Sequence, residues 1–103
     1  MNTYLEKRWG GGGKNPSEEE LRAAFAELKR PDPEHPDCWL SDENNWTISA
    51  HDSGKVILEN TETGEGPWHM LNADEALLMT LWHHLQHGEI QEIKGFPWKE
   101  GYK

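Results

Sequence analysis

Four groups of residues have types and spacings that can do chemistry. In HHLQH, His83 and His87 stand four residues apart on one helix face, a spacing that can hold a metal ion. His84 points about 100° away around the same helix. A zinc site needs a third ligand, and His69 is the nearest candidate. A hydrolytic HExxH helix would carry glutamate where His84 stands, so the general base is missing. The competing reading is that histidines close a helix C-terminus, where partial positive charge is favourable. The expectation is no metal and no cofactor, with a small metal-dependent enzyme on His83, His87 and His69 as the alternative.

The second group is WGGGGKNPS at 9–17, in which four glycines run into Lys14. A phosphate-cradling loop needs a glycine five positions before its Gly-Lys pair and Ser or Thr after it. Here those positions hold Arg8 and Asn15, and no apolar strand aims the loop at a helix. A flexible hinge fits the composition better. Nucleophiles form the third group. Cys38, the only cysteine, lies between Asp37 and Trp39 with no glycine turn or helix start to lower its pKa. Ser41, Ser49 and Ser53 lack a nucleophile-elbow context. No catalytic constellation emerges, and the chain reads as a non-enzyme.

The fourth group is acidic. From Asp32 to Glu43 there are five acids (Asp32, Glu34, Asp37, Asp42, Glu43) and no Lys or Arg, with Trp39 among them and Trp46 just after. Acids around an aromatic anchor suit a face that binds a basic protein, because the ring supplies buried area and the carboxylates steer. Asp52, Glu59, Glu62 and Glu65 extend the acidity along the hairpin ends. The expected partner-binding set is Asp37, Trp39, Asp42, Glu43, Asp52 and Glu62. The bland alternative makes Trp39 and Trp46 core and the acids solvated loop. The alternation of Trp46 with Ile48 favours core for Trp46.

The bulk numbers permit a basic protein partner, and they also permit the bland reading that the charge only confers solubility, which composition alone favours. The 103 residues carry a formal net charge of −9, from ten basic and nineteen acidic residues. Nucleic acid or an anionic membrane would want a basic face. With 34% hydrophobic residues the core is small, and six tryptophans compensate by burying large areas. No apolar run resembles a signal peptide or a membrane span, which leads to the expectation of a cytoplasmic protein.

These groups need elements to position them. Met1 to Trp9 reads as a short strand or an arm. Ser17 with Glu20 forms a capping-box signature, and Leu21, Ala24, Phe25 and Leu28 share one helical face before Pro31. Beyond the proline loop, Trp46, Ile48 and Ala50 alternate with polar residues as in a half-buried strand. Asp52-Ser53-Gly54 turns the chain into a returning strand at 55–59. Trp68 to Leu71 makes a third strand, and Cys38 to Leu40 a fourth beside Trp46. Asn72 caps a second helix with a Leu77, Leu78, Leu81, Trp82 and Leu85 stripe, stopped by Gly88. The tail opens on a short apolar alternation. The expectation is one α+β domain over 1–103: a 1–14 arm and glycine hinge, then a 15–103 core. In that core a small antiparallel sheet of three to five strands is covered by an N-terminal and a C-terminal helix.

The order of parts is familiar. Asn15-Pro16-Ser17 through Leu28, the Ser53-Gly54 hairpin, Asn72 through Gly88, and Phe96-Pro97-Trp98 follow one another. Over roughly residues 9 to 100 the chain resembles the first-numbered family of small immunity proteins of bacterial polymorphic toxin systems. The proline loop at 31–36 departs from that pattern. The resemblance implies a non-enzymatic inhibitor that binds a cognate toxin domain, often a nucleic-acid deaminase or nuclease, encoded by an adjacent gene. It supplies no catalytic residues. A general protein-interaction or carbohydrate-binding module using exposed tryptophans is the third reading.

Overall fold

The computed structural model describes residues 1–102. Its centre is a seven-stranded antiparallel sheet in the order β2-β1-β3-β4-β5-β6-β7. The strands are β1 (Thr3–Glu6), β2 (Gly12–Lys14), β3 (Asp37–Asp42), β4 (Trp46–His51), β5 (Val56–Asn60), β6 (Trp68–Met70) and β7 (Lys99–Glu100). Three short helices accompany them: α1 (Glu18–Glu27), α2 (Glu75–Gln86) and α3 (Ile90–Lys94).

The architecture corrects the expected fold class. The sheet has seven strands rather than three to five, and no helix occupies either end of the chain: two strands precede α1, and α3 and β7 follow α2. The additional strands are short and held mainly by backbone pairing. Gly12 and Gly13 pair with Glu6 and Leu5, so the glycine run turns back into an edge strand. Gly12 tolerates only glycine there, because a Cβ would fall 1.9 Å from the Leu5 carbonyl oxygen. The tail alternation at 90–93 is helical, with Ile93 buried.

The first helix follows its sequence signals. The Ser17 hydroxyl accepts from the Glu20 N–H while the Glu20 carboxylate accepts from the Ser17 N–H. For the second helix the cap is Asp74, not Asn72: the Asp74 carboxylate accepts from Leu77 N–H at 2.9 Å, while Asn72 takes a left-handed turn conformation. Asn72 therefore ends the connection from β6 and Asp74 starts the helix.

Residues paired across antiparallel strands share a face. Leu5, Leu40, Ile48 and Leu58 form one such row, with Cys38, Ala50 and Val56 beside it. This face is buried together with Leu21 and Ala24 of α1 and Leu78, Leu81, Trp82 and Leu85 of α2. The Trp82 indole N–H donates to the Ile48 carbonyl at 3.0 Å, joining α2 to the central strand. Burial pushes the Cys38 thiol up to about 12, which makes it a small core residue rather than a nucleophile.

Candidate functional site

The opposite face of the same strands carries the remaining residues. Glu6, Trp39, Ser49, Ile57 and His69 lie across it in one row, and Tyr4, Ser41, Thr47 and Glu59 in the next. Asp37 and His51 form a further pair at one end. At the β6 side this face is closed: Ile57 and His69 are buried, and the His69 Nδ1–H donates to the Gly101 carbonyl at 2.8 Å. From β5 to β1 it is open. Trp39 is 37% and Tyr4 43% exposed. A trough of about 370 Å³ runs here between Asp37 and Trp39 at one side and Thr47 and Glu59 at the other.

The six residues expected to bind a partner are not brought into one patch. Asp37 and Trp39 lie on the open face, two positions apart on β3. Asp42 shares its parity with Leu40 and so points to the helix side, where it is buried. Its Oδ1 accepts from the Asn44 and Trp46 N–H groups, each at 2.9 Å, fixing the turn into β4, while Oδ2 is buried without a partner. Desolvation raises the Asp42 pKa against the lowering effect of those two hydrogen bonds. Asp42 is thus a turn residue, out of reach of a partner.

Glu43 and Glu62 mark the same end of the sheet as that turn. Glu43 accepts from Asn2 N–H at 3.1 Å, and Glu62 accepts from the Asn45 amide at 2.7 Å. Asp52 lies at the other end, about 17 Å away along the length of β3. There it faces Arg8, whose guanidinium is buried and donates to the carbonyls of Glu27, Arg30 and His35. Arg8 ties the end of α1, the proline loop and the β4–β5 turn together. Its only sequence signal was a basic residue beside Trp9 in an acidic chain. Tyr4 and Thr47 were also missed, Glu59 was noted only as part of the wider acidity, and Ser41 and Ser49 were weighed only as nucleophiles. The alternation around Ile48 had already placed Thr47 and Ser49 on the face opposite the core.

The tryptophans divide by location. Trp46 and Trp82 are core, as the alternation and the helix stripe indicated, whereas Trp39 stands on the open face. Trp9 is exposed with its indole N–H donating to Asp32 at 2.7 Å, and that bond is the main cause lowering the Asp32 pKa.

The histidines are not gathered into a metal centre. His83 Nε2 faces Glu18 at 3.1 Å, and the His87 Nδ1–H donates to the His83 carbonyl at 2.7 Å. His84 turns to Glu89 at 3.0 Å. His69 projects from the sheet face opposite α2 and cannot join them. Among the described residues no three His, Cys, Asp or Glu side chains are placed to hold a metal ion. The metal-enzyme alternative therefore loses its third ligand to the topology.

No family model, curated protein or solved structure matches the chain. Function must be argued from the site itself. Chemically, the open face offers an aromatic surface, hydroxyl groups and carboxylates, which is equipment for recognition. Among the described residues, no helix is long and apolar enough to cross a membrane.

Proposed function

We propose that this protein is a bacterial immunity protein that neutralises a cognate toxin domain by docking the open sheet face onto it. The observation that carries the reading is Trp39, exposed at the middle of a sheet face that no helix covers, with Asp37 beside it. A central aromatic with a carboxylate neighbour is the composition of a binding hot spot for a basic surface. The net charge of −9 extends attraction for such a partner well beyond the contact itself. A toxin that acts on nucleic acid carries a basic groove, and an acidic protein seated on that groove or its rim denies it substrate. The resemblance over residues 9 to 100 to the first-numbered immunity family supports the same reading. On this account the protein works in the cytoplasm of the producing cell, without a cofactor and without chemistry of its own.

The test is a titration of the protein with the catalytically inactivated product of the adjacent gene. Association in the nanomolar range that weakens as salt rises from 50 to 500 mM is expected. The absence of binding to any neighbouring gene product would overturn the toxin reading.

A further inference from the structure

Two of the tryptophans already hold a cation of this same chain. The Arg8 guanidinium lies 4.8 Å from the Trp9 ring centre, and the Lys94 ammonium 4.9 Å from that of Trp46, where Glu65 flanks it at 3.6 Å. Both follow the attraction of a positive charge for the face of an indole ring. Trp39 has no such cation among the described residues, although it is the tryptophan of the central strands left open to solvent.

Among the described residues that line the trough beside Trp39 there is no Lys or Arg. Among the described residues Asp37 pairs with the His51 imidazole, at 3.8 Å, and the Lys55 ammonium acts on that imidazole without forming an ion pair with Asp37. Glu59 forms no ion pair among the described residues; it lies near enough to Tyr102 to raise that phenol's pKa, and its Oε2 is buried without a hydrogen-bond partner. Beside Glu59 stand the Thr47 and Ser41 hydroxyls, 3.1 Å apart, each with acceptor capacity left over. Trp39 is two residues, about 7 Å, along β3 from Ser41. An aromatic wall, hydroxyl acceptors and the Asp37 and Glu59 carboxylates thus line one trough.

We infer that this trough is a receptor for an arginine side chain presented by a basic protein partner. The inference rests on the reading of the open face as the docking surface and specifies what it grips. Arginine fits better than lysine. Its planar fork carries five donors that can serve Glu59 and the hydroxyls together, and its flat face stacks on an indole, whereas an ammonium ion offers a compact, strongly hydrated charge. The carboxylates, with no Lys or Arg among the described lining residues, disfavour an anionic occupant.

The probe is a capped Gly-Arg-Gly tripeptide, compared with capped tripeptides carrying lysine or citrulline at the centre. Binding is followed by ¹⁵N–¹H shifts of the full chain. The arginine tripeptide is expected to shift the Trp39 indole and the Thr47 and Glu59 amides at millimolar concentration. Lysine should bind roughly threefold more weakly, and citrulline should leave the spectrum unchanged. Glu59→Gln and Trp39→Ala should each weaken the arginine response at least about threefold, while Glu19→Gln, on α1, should not. An unaltered dispersion of the spectrum shows that each variant is folded.

Equal shifts from citrulline, shifts mapped to the His83 side, or no response to arginine would overturn the receptor whether or not a toxin binds. An arginine response alongside failure to bind any neighbouring gene product would uphold the receptor and overturn the toxin reading alone.

Discussion

The two faces of the sheet are made from the same strands, yet they carry opposite physics. On β3, Cys38 and Leu40 point to the helices and are fully buried, while Asp37, Trp39 and Ser41 between and beside them point to the open side. On β4, Ile48 is buried and its neighbours Thr47 and Ser49 are hydroxyls. The tryptophans make the contrast sharpest. Trp82 fills the helix side with its N–H satisfied, and Trp39 lies on the open side with over a third of its surface in water. One face uses aromatic area to hold the fold. The other leaves aromatic area exposed to water.

The contrast can be broken first at its buried side. Trp82→Ala is expected to cost about 4 kcal/mol in urea unfolding, since it removes a fully buried indole and leaves the Ile48 carbonyl without its donor. A loss below about 1 kcal/mol would mean that the helix face does not carry the stability. Arg8→Ala should follow at about 3 kcal/mol, because three backbone carbonyls lose their buried donor at once and Asp52 loses its partner. Because the connection of α1 to the proline loop depends on Arg8, hydrogen exchange should accelerate first at residues 28–36.

Asp42 tests where the helix face ends. Asp42→Ala should cost about 1–2 kcal/mol by freeing the Asn44 and Trp46 N–H groups. Asp42→Asn keeps an acceptor for both. Because the folded pKa is raised, the unfolded chain gives up its proton at lower pH, and the parent loses stability as pH rises through the interval above the ordinary aspartate value of about 3.9. Asp42→Asn should therefore gain on the parent over that rise. A parallel pair of pH–stability curves would remove Asp42 from the buried side.

On the open face the expected pH effect is opposite in sign. Burial, ahead of the opposing charge of Asp37, lowers the His51 pKa. The unfolded chain then binds the proton more readily, so stability rises with pH between the lowered value and about 6.5, and is lost on acidification through that interval. His51→Gln should flatten this part of the curve, read by thermal melts from pH 5 to 7.

What was legible in the sequence has a physical pattern. The capping box of α1 and the β4–β5 hairpin were readable because each is a local device, complete within a few residues. The edge strands were not. β2 is held by backbone pairing of glycines, and β7 is two exposed residues, so neither leaves an apolar alternation to detect. Asp42 was misplaced because its charge was weighed and its parity was not: it continues the Cys38, Leu40 phase into the core. Trp39 was placed among the candidates by its acidic neighbours. The trough beside it needed Thr47 and Glu59, which come from two other strands through register alone.

The central claim is that the open face is where the partner docks. It is tested most directly by the affinity of Trp39→Ala for the inactivated product of the adjacent gene, measured beside urea unfolding of the same variant. The account predicts a loss of about 2 kcal/mol in binding, roughly thirtyfold, beyond a folding-stability loss of about 1–3 kcal/mol that leaves the protein folded in the absence of urea. Unchanged affinity in a fully folded Trp39→Ala protein would contradict it.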